Sequence, residues 1–280
     1  MHCKYCFSEM IFTGSDVYCE YCLTRDLLTM KVPKVERIGF ELEGNWEYLP
    51  DRQYVNYSQH DDSSVNNLFE EEYCGDCEAC DDGRGYCDNN SGYCGELVSS
   101  PFLYSDSDEW KWWIQKCYPD HHDDSCGAHF HVELSNINAY ETLCTPEFNR
   151  YFIDNLYHWG ERANIRNRDF WDRLKGNNSM CSPTFAGDAQ LKVRNGDNYP
   201  SCRYTALNFH YAKHNTLEVR VLPVFQKSRI YIRAVEVCVN LINSYLKRES
   251  KKDFVVEEEQ HEIPSDFQGR ITSRTLTELL

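Results

Sequence analysis

The sequence predicts an α+β fold, with strands packed on helices, and three observations carry that expectation. Segments around Glu41, His129 and Glu218 alternate apolar and polar residues, the pattern of half-buried strands. The stretches 146–166 and 228–248 instead repeat apolar residues at helical spacing. A chain of 280 residues with 41% hydrophobic and 14% aromatic content is long enough for one sizeable core and one or two small appendages.

In chain order, Cys3-x-x-Cys6 and Cys19-x-x-Cys22 form two knuckles that would close a tetrahedral four-sulfur site, so residues 1–30 read as a zinc ribbon. So short a segment buries little apolar surface, and metal binding would supply much of its folding free energy. Residues 31–248 read as the main domain. Its first strand is Arg37–Glu43 and its second Gly95–Ser99, with a cysteine-rich insertion, 66–94, between them. From Asp61 to Glu96 there are eleven acidic residues and one basic residue, Arg84, so this stretch needs an organiser other than a hydrophobic core. Cys74, Cys77, Cys80, Cys87 and Cys94 offer five ligands for a second structural zinc, and glycines at 75, 83, 85, 92 and 95 allow tight turns. The spacing does not select four of the five; the other reading is a flexible acidic loop.

Ser105–Tyr118 reads as a helix with an acidic, well-capped start and tryptophans that belong to the core. Pro146 to about Arg166 is a longer amphipathic helix, and Ser228–Arg248 a third, dense enough in apolar residues to be buried. Residues 249–280 read as a tail with a short helix near Thr272–Leu280.

The formal charge of −16, from 29 basic and 45 acidic residues, argues against holding nucleic acid by phosphate neutralisation and favours cationic ligands. No stretch has the roughly 18–20 consecutive apolar residues that cross a bilayer, and Met1-His2-Cys3-Lys4 opens without an apolar leader. A cytoplasmic chain without a membrane partner is expected, with its Cys-x-x-Cys thiols reduced and metal-bound.

Function is legible in three strands set side by side. Phe40 and Leu42 oppose Glu41 and Glu43, the two carboxylates about 7 Å apart at strand rise. Ala128, Phe130, Val132 and Leu134 oppose His129, His131 and Glu133, while Leu217, Val219 and Val221 oppose Glu218 and Arg220. The apolar halves are what strands on helices require. The polar halves concentrate carboxylates, imidazoles and a guanidinium. If the strands share a sheet, Glu41, Glu43, Glu96 and Glu218 crowd like charge, which magnesium or manganese would relieve.

Gly39-Phe40-Glu41-Leu42-Glu43, Gly95-Glu96-Leu97-Val98-Ser99-Ser100-Pro101, Ser125-Cys126-Gly127-Ala128-His129-Phe130-His131-Val132, Arg203-Tyr204-Thr205-Ala206-Leu207-Asn208 and Thr216-Leu217-Glu218-Val219-Arg220 occur in that order. The set resembles the motifs of the amidoligases, glutamine-synthetase-like carboxylate-amine ligases common in bacteriophage and bacterial genomes, over about residues 36–245. The resemblance implies a curved antiparallel sheet backed by helices, holding ATP and Mg2+ or Mn2+ on its concave face. It implies an amide bond formed through an acyl phosphate, in the cytoplasm of a bacterial cell, phage-infected where the chain is a phage product. Arg173–Pro200, rich in Gly, Asn and Asp, is the candidate for the covering loop that this chemistry would need to exclude water. Glu41, Glu43, Glu96, His129 and Glu218 would bind metal, with His131 beside them. Arg203, Asn208 and Arg220 would lie on the nucleotide side. The ribbon and the insertion lie outside the family pattern and would recruit substrate. Neither the acid nor the amine is identified, and the acceptor ranges from a small molecule to a peptide or protein. Two further readings remain: an inactive ligase-fold protein whose zinc modules bind a macromolecule, and a zinc hydrolase built on His129 and His131.

Overall fold

The computed structural model describes residues 11–13, 16–18, 34–62, 64–65, 68, 92–135, 137–195, 204–210 and 216–259. Cys3, Cys6, Cys19, Cys22, Cys74, Cys77, Cys80, Cys87, Arg203 and the helix expected at Thr272–Leu280 lie outside them. The hairpin β1 (Ile11–Thr13) and β2 (Asp16–Tyr18) falls, in sequence, between the two Cys-x-x-Cys pairs.

The remaining strands form one sheet: β3 (Val35–Trp46), β4 (Tyr57–His60), β5 (Tyr93–Ser99), β6 (Phe102–Leu103), β7 (Ala128–Leu134), β8 (Leu207–His210) and β9 (Thr216–Val219). Their order is β4-β5-β3-β7-β9-β8, with β6 on the start of β3, and every ladder is antiparallel. Alternation fixes which face each side chain takes, and the register aligns like with like. Phe40 stands opposite Phe130, and Leu42 opposite both Leu97 and Ala128.

The apolar face is covered by α1 (Ser107–Cys117) and α6 (Ser228–Glu259). Phe40 stacks on Trp113, with ring centroids 6.0 Å apart, and meets Trp110 at 5.9 Å and Tyr231 edge-on at 6.4 Å. Trp110 and Trp113 are core residues as expected, whereas Trp112 is exposed. At the start of α1, Asp106 makes no side-chain cap bond, so Asp108 and Glu109 complement the helix only through charge.

Between β7 and β8 lie α2 (Ile137–Leu143), α3 (Pro146–Arg162), α4 (Arg168–Lys175) and α5 (Ala189–Asn195). Thr145 caps α3 by accepting from Phe148 N at 3.1 Å, with Pro146 in the first turn. The helix stops before Arg166 because Ala163 ends it and Asn164 turns to φ 52°. Asn167 caps α4 on Phe170 N, and Gly176 at φ 77° ends it.

Two further boundaries differ from expectation. Helix α6 runs past Arg248 to Glu259, since no Gly or Pro interrupts its Glu- and Lys-rich continuation. The stretch 173–195 is no open cover. Arg173 and Leu174 are buried in α4, Cys181 is fully buried, Phe185 packs on Phe209, and Ala189 and Val193 of α5 join the core. The apolar residues scattered among its Gly, Asn and Asp anchor it. No helix among the described residues is long and apolar enough to cross a membrane.

Candidate metal centre

The polar face of β5, β3, β7, β9 and β8, with Arg220 just past the end of β9, gathers eight of the predicted site residues, Asn208 among them. Register puts Glu43 beside Glu96, Glu41 beside His129, His131 beside Glu218, and Glu218 beside Asn208. Glu43, His129, Asn208 and Glu218 are buried, while Glu41, Glu96, His131 and Arg220 are half-buried at the rim.

The contacts are mutual. His131 Nε2 lies 2.9 Å from Glu41 Oε1, and its Nδ1 is 3.1 Å from Thr216 Oγ1. His129 Nδ1 faces three carboxylates, at 3.5 Å from Glu43, 3.8 Å from Glu218 and 3.9 Å from Glu41. Glu218 is held from both sides, since Arg220 donates to its Oε1 at 2.7 Å and Asn208 to its Oε2 at 3.1 Å. Asn208 is fixed in turn by the Thr205 hydroxyl at 2.6 Å. The amide of Gly127 donates to Glu43 Oε2. Glycine is required there, because a Cβ would run into His129 Nε2 and reach 3.0 Å from Glu43 Oε2.

These contacts set the protonation of the face. Burial alone would raise Glu41, but hydrogen bonds and charge from His129 and His131 outweigh it and hold the carboxyl well below its usual range. Glu96 is pushed up to about 8, first by burial and then by the charges of Glu41, Glu43 and Asp62. Burial would lower His131, yet bonding to Glu41 and the charge of Glu218 raise it. Arg220 is held in its charged form by Glu218 despite burial, and its Nε is buried without a hydrogen-bond partner among the described residues. The like-charge crowding expected from sequence is thus relieved in part by imidazole and guanidinium, and in part by a proton on Glu96.

Ligand atoms of Glu41, His131 and Glu218 all lie within 4.8 Å of one another, so one cation can touch all three. Two carboxylates and an imidazole suit Mn2+, and the carboxylates alone suit Mg2+. Glu43, Glu96 and His129 border the same point. Thr205, Gly127 and Thr216 have no role assigned from the sequence, although all three lie inside the motifs, and Thr216 is also the strand neighbour of Glu133. Only pairing across strands exposes what they do.

Cys94 stands within β5 opposite Asn45, its Sγ 3.6 Å from Val65 O, and its thiol is raised by burial and by the charges of Asp123 and Asp62. A cleft of about 600 Å³ lies apart from the sheet carboxylates, between residues 122–124 and α4. Its Asp169 is bonded to Arg173 and Asn178, its Asp172 to Arg168, and its Asp123 to Ser125, so these acids serve the local fold.

No protein-family model, no curated protein and no solved structure matches this chain.

Proposed function

We propose that the chain is an ATP- and Mg2+-dependent carboxylate-amine ligase of the amidoligase type, with a glutamine-synthetase-like sheet, acting in the cytoplasm. The observation that carries this reading is the convergence of Glu41, His131 and Glu218 within one cation's reach, with Arg220 beside them. A divalent ion and nucleotide would supply charge neutralisation and a transferable phosphoryl group, activating a carboxyl carbon toward an amine. Glu41, His131 and Glu218 would hold the ion, with Glu43 and Glu96 completing its surroundings. Asn208 orients Glu218, and the Nε of Arg220, which has no hydrogen-bond partner among the described residues, is a donor for an anionic oxygen. His129, ringed by three carboxylates, keeps them apart. Arg203 would extend the nucleotide side.

The cysteine pairs Cys3/Cys6 and Cys19/Cys22 would bind one structural zinc. With Cys94 committed to β5, the second would fall to Cys74, Cys77, Cys80 and Cys87. Both would serve substrate recruitment, with a peptide or protein among the acceptors.

Calorimetry on the full chain tests the ligase reading. Mg2+ with a non-hydrolysable ATP analogue should bind the parent and bind Glu218→Gln far more weakly. Absence of binding to the parent sinks it and leaves a ligase-fold binding protein. That protein would keep its partner in Glu41→Ala and Glu218→Ala and lose it in Cys19→Ala.

A further inference from the structure

We propose that Arg173 is a positioning residue for this centre, acting through one peptide plane on Glu43 and through the backbone on Arg220. The inference rests on the divalent-ion part of the proposed function and is independent of nucleotide.

Arg173 is 1% exposed, yet it is charged and sits in a helix whose apolar residues already pack the core. Its Nε donates to Asp169 Oδ2 at 2.8 Å, its Nη2 to Cys126 O at 3.1 Å, and its Nη1 to Arg220 O at 3.1 Å. Asp169 is held on its other oxygen by Asn178 at 2.8 Å. If helix packing were the only need, an apolar side chain of similar volume would be cheaper to bury than a paired guanidinium. What the planar fork does, and an alkyl chain cannot, is grip two carbonyls from two chain segments at once.

Those carbonyls are placed to matter. The Cys126 carbonyl belongs to the same peptide unit as the Gly127 amide, which donates to Glu43 Oε2. Arg173 therefore pins the oxygen end of a plane whose nitrogen end locates a site carboxylate. Polarising the carbonyl also strengthens the amide as a donor. The plane needs such pinning, because glycine leaves its own backbone little intrinsic preference. Arg220 is similarly fixed at two points, its N–H on Ala206 O at 2.9 Å and its carbonyl on Arg173, which sets the root of the guanidinium that holds Glu218. The β7–β9 ladder ends at Phe130 opposite Val219, and beyond it Arg173 braces the two segments together with the Ala128 N–Leu222 O bond.

The test uses the full chain and Mn2+ alone, with affinity followed by the electron paramagnetic resonance of free Mn2+ and folding by circular dichroism. Arg173→Lys, which reaches one carbonyl but not both, should stay folded and bind Mn2+ about 10–100-fold more weakly, the usual effect of removing an outer hold on a ligand. On a Glu43→Gln background the same change should add much less. If Arg173→Lys fails to fold, Asp169→Asn, which loosens the outer grip on the guanidinium, should give a smaller loss in the same direction. A lowered melting temperature with unchanged Mn2+ affinity in the folded variant makes Arg173 a purely structural brace and overturns the inference, as does a parent chain that shows no Glu218-dependent Mn2+ binding. Failure of the ligase reading looks different: Mn2+ binds as described and the ATP analogue does not.

Discussion

At the scale of single residues, the centre is held by groups that are not themselves ligands. Glu218 carries one bond on each oxygen, from Arg220 and from Asn208, and the Thr205 hydroxyl fixes the Asn208 amide. A carboxylate so restrained presents its remaining lone pairs in one direction, which lowers the ordering cost of gripping a cation. Asn208→Ala is therefore expected to weaken Mn2+ binding about 10–100-fold while leaving the helical circular dichroism intact. Titration calorimetry of the two proteins side by side checks this, and equal affinities would remove Asn208 from the centre. Gly127 contributes by lacking a side chain. In Gly127→Ala the new methyl meets the His129 ring and crowds Glu43, so the strand must shift or the imidazole must leave its place. Weaker Mn2+ binding together with lower thermal stability is expected, whereas an alanine tolerated on both counts would mean that His129 has room to move.

At the scale of elements, β3 carries both halves of the design: Phe40 and Leu42 face the helices while Glu41 and Glu43 face the centre. Truncation of Phe40, which meets Trp110, Trp113 and Tyr231, should cost about 3–5 kcal/mol. Urea unfolding of Phe40→Ala measures that cost, and a loss under about 1 kcal/mol would mean that the ring stack is not the keystone of the sheet-to-helix contact. Alternation alone makes β3, β7 and β9 legible in the sequence, since a period of two forces opposite faces whatever the tertiary context. It also makes the catalytic-looking face legible, because strands that share an apolar face must share the other. Helix ends and the 173–195 stretch are not legible in the same way. Composition rich in Gly, Asn and Asp reads as loop, and the anchors Leu174, Cys181, Phe185, Ala189 and Val193 recur at a helical spacing that the chain between Gly176 and Asp188 does not adopt, so neither signal alone shows how the stretch is tied into the core.

At the scale of the whole molecule, what sequence cannot express is the exchange of charge between strands. Asn208, Gly127 and Arg173 act on Glu218, Glu43 and Arg220 from other segments, and no local spacing joins them. The crowding of carboxylates in an acidic chain is legible, but not that His129, His131, Arg220 and a proton on Glu96 share the work of relieving it. That proton makes stability depend on pH in a definite sense. Glu96 is raised from 4.5 to about 8 by burial and by its acidic neighbours, and His131 is raised by Glu41 and Glu218. Both groups bind protons more tightly in the folded chain than in the unfolded one. Their stabilisation is complete below the unfolded pKa and is lost as pH climbs through the folded value. Glu41, lowered by the imidazoles, contributes throughout that range and fades only in acid below its ordinary pKa. Without added divalent ion, the melting temperature should therefore lose the Glu96 contribution between about pH 4.5 and about pH 8, and Glu96→Gln should flatten that fall. Excess Mg2+ takes the place of the proton, so its stabilising effect should be larger at the upper end of that range than at the lower. Thermal denaturation of parent and Glu96→Gln, with and without Mg2+ at both ends of the range, decides the matter. A parent chain that grows more stable as pH rises across it without the ion would show that the carboxylates of the face are already neutralised by the imidazoles and Arg220 alone.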